Sequence, residues 1–176
     1  MDLQQAYEPG WKGRSLRRDH VASGSFVAQF HLVLFSKACE YAIRATVHIA
    51  ERTAADEQAT VRSVAAATSI PEAFTAKALQ ILVRAGLVGS MKGPGGGFNL
   101  TPARARKLKL SAIVDAIDGD AVYTACGLGL PHCNEENPCA LHDHFMEVRE
   151  KLRTMLEGTS IHDLVTGTVT TRALKR

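Results

Sequence analysis

Between residues 36 and 54, apolar side chains return every three or four positions: Ala38, Tyr41, Ala42, Ala45, Ile49 and Ala50. That period predicts one face of an α-helix, and Ser36 is suited to cap its start. The polar stretch "ADEQA" follows, and "TVRSVAAATS" then predicts a second, shorter helix with Thr60 as its cap. A third helix is predicted in "SIPEAFTAKALQILVRAG". Its turn ends at Ser69 or Ile70, Pro71 takes the first helical position, and Glu72 suits the positive end of the helix dipole. Phe74, Ala78, Ile81 and Leu82 form the inward stripe, and Gly86 stops the helix. Two short helices joined by a tight turn have the spacing of a helix-turn-helix.

The pattern then changes. In "LVGSMKGPGGGFNLT", Leu87-Val88 and Phe98 to Leu100 flank a Gly/Pro-rich tip preceded by Lys92, which predicts a β-hairpin. No helix and no Gly-Lys-Ser/Thr follow the glycines, so a nucleotide-binding loop is excluded. Helices followed by a basic-tipped hairpin describe a mainly α fold with a small β-hairpin wing, a winged helix-turn-helix. An ordinary three-helix core with a surface hairpin would give the same pattern. "PARARKLKL" is basic and leads into "SAIVDAIDG", a short helix closed by Gly119. After an irregular stretch, helical order resumes in "ALHDHFMEVREKLRTMLEG". There Leu141, Phe145, Val148, Leu152 and Met155 step as a heptad seam, read as a long C-terminal dimerisation helix. "SIHDLV" predicts a last short helix capped by Thr159 or Ser160. The expected organisation is a poorly ordered N-terminal extension over 1–33 and a winged helix-turn-helix over 34–110. A cysteine-rich loop with the dimerisation helix over 111–165 and a tail over 166–176 complete it.

Composition changes this picture little. Apolar residues are 45% and charged ones 22% of 176 residues, ordinary for one soluble domain. No apolar run reaches the roughly 20 residues of a membrane span. The apolar stretch "VASGSFVAQFHLVLF" is broken by polar residues, with no export-type cleavage site after it. The expectation is a cytoplasmic protein without membrane association, in which cysteines serve metals or redox chemistry. Charge changes it more. The net +3 hides eight Lys/Arg against one acid over 60–110, and three against ten over 111–165. A basic half points to a polyanionic partner. On the helix-turn-helix reading, Thr60, Arg62, Ser69, Glu72, Ala73, Ala76 and Lys77 lie near duplex DNA, with the start of the recognition helix in the major groove. Lys92, followed by Gly93 and the other tip glycines, would reach a minor groove. Arg104, Arg106, Lys107 and Lys109 suit phosphates, while Arg44 either joins them or pairs with an acid on its own helix.

The candidate chemistry lies in "CGLGLPHCNEENPCALH", residues 126–142. Cys126, Cys133 and Cys139 are separated by gaps of six and five residues, and His142 follows three residues after the last. Thiolates suit iron–sulfur clusters, and an imidazole in place of one thiolate makes a cluster less negative. The same composition would serve a tetrahedral zinc, although these gaps are longer than those of zinc knuckles. Free thiols that sense oxidants by forming reversible disulfides are a third option. Cys39, alone on the first helix, reads as a packed, inert thiol. No Ser-His-Asp or paired-carboxylate arrangement can be assembled from local spacing, which argues against an enzyme.

Taken together, "LFSKACEYAIRA" at 34–45, "IPEAFTAKALQILVRAGLV" at 70–88, "SMKGPGGGFNL" at 90–100 and the cysteine segment before a long helix resemble one family. It is the Rrf-two (BadM-type) winged-helix transcription regulators, and the resemblance spans 34–165. It implies a homodimer bound to a palindromic operator in double-stranded DNA. In the family's iron–sulfur cluster regulator, three cysteines and the histidine three after the last hold a 2Fe–2S cluster. That implies Cys126, Cys133, Cys139 and His142 here, and leaves His132 and His144 out. In nitric-oxide-sensing relatives the cluster is 4Fe–4S, and an acid from the first helix of the other subunit is the fourth ligand. Glu40 occupies that position, so the 2Fe–2S cluster on His142 is the favoured expectation and Glu40 the alternative. Three departures stand out: Phe74 where tyrosine is common, Thr75 and Ala76 where larger residues are usual, and a first cysteine gap one residue longer.

Overall fold

Helix α1 (Lys37–Ala54) is the axis of the fold in the computed structural model, which describes residues 34–93 and 95–167. The extension 1–33, and the tail beyond Gly167, lie outside the described residues. Ser36 caps α1 by accepting from the Cys39 amide, as its hydroxyl suggested. The helix packs against α2 (Val61–Thr68), α3 (Glu72–Arg84), α4 (Pro102–Lys107), α5 (Leu110–Asp118) and α8 (Ile161–Thr166). It can do so because it buries more than one face, with Cys39, Ala42, Ile43, Ala45, Thr46, Val47, Ile49 and Ala50 all inside. Ala38, expected within, is exposed and Tyr41 half-buried; the stripe is rotated toward Cys39.

Thr60 caps α2 in a reciprocal box with Ser63. The turn into α3 passes through Ser69, held left-handed at φ 56°, and Pro71 stands one position earlier than expected, as the cap rather than the first helical residue. The inward face of α3 is a correction. Thr75, Ala78, Leu79 and Leu82 are buried, while Phe74 is 59% exposed beside the Tyr41 ring. Thr75 can enter the core because its hydroxyl donates to the Pro71 carbonyl at 3.2 Å, leaving no unpaired polar group.

Strands β1 (Gly89–Met91) and β2 (Gly97–Asn99) pair antiparallel, with Ser90 opposite Phe98. Phe98 also donates to the Ala59 carbonyl, which fixes the hairpin to the chain before α2. At Gly97 a Cβ would stand 2.8 Å from that carbonyl, so the close approach requires glycine. Two helices escaped the sequence reading. "PARARK" forms α4 under a Thr101 cap, and α6 (Ala121–Thr124) is a single turn. Helix α7 (His142–Gly158) packs against α5 and α6, and Ser160 caps α8 with Asp163. No helix among the described residues is long and apolar enough to cross a membrane.

The expected heptad seam on α7 is divided by its packing. Leu156, outside the seam, is the buried residue, and Leu152 leans on the core. Val148 and Met155, with Leu141 at the N-cap, remain exposed and lie one heptad apart. Phe145 is half-buried and belongs to another contact.

Candidate metal centre and nucleic-acid face

All four cysteines are free thiols, and three of them meet. The Sγ atoms of Cys126, Cys133 and Cys139 lie within 4.8 Å of one another, each half-exposed on a segment without regular structure. Cys126 and Cys139 are 3.9 Å apart. A tetrahedral ion bound by thiolates at about 2.3 Å needs sulfurs roughly 3.8 Å apart, so this pair has the spacing of ligands to one metal atom. Two thiolates on one tetrahedral iron of a 2Fe–2S cluster stand at the same separation, so this distance suits either group. The donor set itself, three soft thiolates beside an imidazole, fits iron–sulfur or zinc equally in kind.

Backbone amides prepare the first ligand. The Leu130 and Leu128 amides directed at Cys126 bring its thiol down to about 7. For Cys133 the Cys139 amide also acts to lower the value. Desolvation and the neighbouring Cys139 and Cys126 thiols outweigh it, and the net shift is upward. The loop is folded on itself by Asn134, whose side chain accepts from the Glu136 and Asn137 amides at 3.0 and 2.7 Å. His142 begins α7 instead of lying a turn inside it, and Cys139 sits in the preceding turn, its carbonyl accepting from the His142 amide at 3.0 Å. The His142 Nδ1 is 3.3 Å from Cys133 Sγ. His142 thus adjoins the thiols without joining the mutually close set, and its Nε2 is buried without a hydrogen-bond partner. Beside it a cleft of about 790 Å³ is lined by Tyr123, Cys133, His142, Met146, Arg149 and Arg153, among others. Glu40 lies outside the set and pairs with Lys37 at 2.7 Å and Arg44 at 3.5 Å. Cys39 is fully buried, and burial together with Asp118 pushes its thiol up to about 12, as expected for an inert group.

Most of the residues expected to face DNA reach the surface. Thr60, Arg62, Ser69, Glu72, Ala73, Lys77, Lys92, Gly93, Arg104 and Arg106 are exposed, and Ala76 is half-buried. Some are also engaged within the chain. Arg62 and Glu72 approach to 3.6 Å across the turn, a solvent-exposed pair of little energetic weight. Arg104 donates to the Gly86 carbonyl at 2.6 Å, so it also ties α4 to the end of α3. Arg44 takes the second of its two expected roles, bonding Glu40 and the Thr68 carbonyl. Two residues were missed. Gln80 and Arg84 line, with Lys92, a groove of about 370 Å³ between α3 and the hairpin. The signal was in the sequence: from Lys77 they recur at helical spacing on the face opposite Leu79 and Leu82.

Comparison with known proteins agrees with this geometry. Residues 35–167 match the family model Rrf2, described as an iron-dependent transcriptional regulator. An HTH-type transcriptional regulator of Aquifex aeolicus is 32% identical over 136 residues, 76% of this chain and 92% of that protein. The transcriptional repressor NsrR of Streptomyces coelicolor is 28% identical over 130 residues, covering 74% and 86%. Among solved structures, CymR, the global cysteine regulator of B. subtilis, aligns with a TM-score of 0.60 at 19% identity, covering 75% of this chain and 95% of that one.

Proposed function

The chain belongs to the Rrf2 family of transcriptional regulators, and from that premise we propose that it is a cytoplasmic, homodimeric DNA-binding regulator controlled by an iron–sulfur cluster. The ligands are Cys126, Cys133 and Cys139 with His142 as the fourth; Glu40 of a second copy is the alternative. The observation that carries this reading is the convergence of three thiols within 4.8 Å, on the same chain as a basic helix-turn-helix. A cluster would supply a centre whose charge, redox state or presence changes with the cell's iron and oxidants. The chain's own residues do the rest. The start of α3, with Ala73 and Lys77, enters the major groove. Lys92 extends the contact to a minor groove, and Arg106 and Lys107 hold phosphates. Leu141, Val148 and Met155 pair with the same strip of a second copy, which sets two α3 helices against the halves of a palindrome.

Anaerobic purification with iron and sulfide analysis, an absorption spectrum, and operator binding by loaded and stripped protein tests the proposal. Iron and sulfide in equal amounts with a 2Fe–2S spectrum, and DNA affinity that changes on stripping, are expected. A colourless protein with stoichiometric zinc would overturn it.

A further inference from the structure

Three residues on one side of α7 follow the chain from Tyr123 to Gly127 in the opposite direction. Arg153 stacks over the Tyr123 ring, its guanidinium carbon 4.8 Å from the ring centroid. One turn earlier, Arg149 Nη1 donates to the Ala125 carbonyl at 2.9 Å. One turn earlier again, the Phe145 ring covers Gly127 so closely that a Cβ built there would overlap ring carbons. The two contacts nearest the thiols bracket Cys126 on both sides in sequence. The spacing of 145, 149 and 153 is that of neighbours on a helix surface. The Leu130 and Leu128 amides also act on Cys126 from the far side of Gly127.

We propose that Phe145 and Arg149 are positioning residues for Cys126. They clasp the chain on either side of it, and Gly127 is glycine because any side chain would lift the loop off Phe145 and carry Cys126 away from Cys133 and Cys139. The clasp rests on the cluster reading only for its purpose, since it acts on the thiols of the metal-free protein. It also makes α7 the element shared by the ligand loop and the exposed strip of Leu141, Val148 and Met155.

The test uses metal-free protein carrying Cys133→Ser, which leaves Cys126 and Cys139 as the surface pair, with Cys39 buried. Diamide oxidises the two thiols to one disulfide and is itself reduced to the hydrazine, and mass spectrometry follows the rate. Adding Gly127→Ala should slow closure on the order of tenfold or more, the consequence of overpacking against the Phe145 ring. Phe145→Ala alone should also slow closure, and adding Gly127→Ala to it should cost nothing further, because the methyl then enters the space the ring has left. Arg149→Ala should slow closure by a smaller factor, with circular dichroism unchanged. An unaltered rate in Gly127→Ala or in Phe145→Ala, or losses from the two that simply add, overturns the clasp. Iron and sulfide analysis of reconstituted wild type and Gly127→Ala separates the two ideas. A wild type that takes up no cluster defeats the proposed function, while the thiol rates still decide the clasp.

Discussion

The helix-turn-helix half and the cysteine half of this chain are finished to different degrees. Helices α1 to α3 share one core, with Ile49, Leu79 and Leu82 fully buried, and Phe74 is the one large apolar side chain they leave exposed. Apart from Leu156, α7 has no fully buried residue, and Met146, Val148 and Met155 along its length are 44–58% exposed. Its loop gathers three thiols and leaves the His142 Nε2 buried without a partner. A core that satisfies itself is a scaffold. A half that leaves apolar strips and soft ligands open has the form of one completed by what it binds, which on the proposed function is a second copy and a metal centre.

The sharpest break in this contrast is at the thiols. Replacing Cys126, Cys133 or Cys139 with Ala should each abolish bound iron and the cluster absorption, whereas Cys39→Ala should leave both intact. Loss of the cluster in Cys39→Ala alone would move the site into the core and end the distinction.

Packing comes next. Leu82→Ala should lower unfolding stability by about 2–5 kcal/mol in denaturant titration, the cost of a cavity in a closed core. Val148→Ala should change it by only about 0.5 kcal/mol when measured on the monomer. Val148→Asp should instead shift sedimentation toward monomer. If Val148→Asp leaves the oligomeric state untouched, the exposed strip of α7 is not the pairing surface.

Effects on DNA are smaller. Lys92→Ala should weaken operator binding by about 1 kcal/mol or more if the tip enters a narrow minor groove. Arg106→Ala should reduce the salt slope of binding by about one, with sequence preference retained. Equal affinities and slopes for both variants, in folded protein, would remove the hairpin and α4 from the interface. The least effect is expected at Ser69, held at φ 56° in the turn before α3. Ser69→Gly should stabilise the fold by up to about 1 kcal/mol, since glycine adopts this conformation without a Cβ clash. A destabilised variant would mean that the hydroxyl contributes more than the backbone strain costs.

Much of this was legible in the chain. Ser36, Thr60 and Ser160 cap the helices their side chains suggested, and Gly119 closes α5. The hairpin lies where the glycines placed it, and family membership followed from motifs in order. Phe74 was misread because two stripes one position apart on α3 are both periodic. Thr75 competes for the inside only when the Pro71 carbonyl is there to take its hydroxyl. Phe145 was misread for a similar reason: a heptad names an apolar face and not what covers it.

The sequence alone therefore determined the kinds of element, their order and the ligand candidates, because caps, turns and periodicity act over a few residues. Tertiary structure decided which side of α3 is inside, how α7 divides among core, loop and solvent, and that three thiols spread over 126–139 meet within 4.8 Å. Those outcomes depend on contacts between segments far apart in the chain. A periodic apolar face tolerates a rotation of one position until a neighbouring element packs against it and removes the choice.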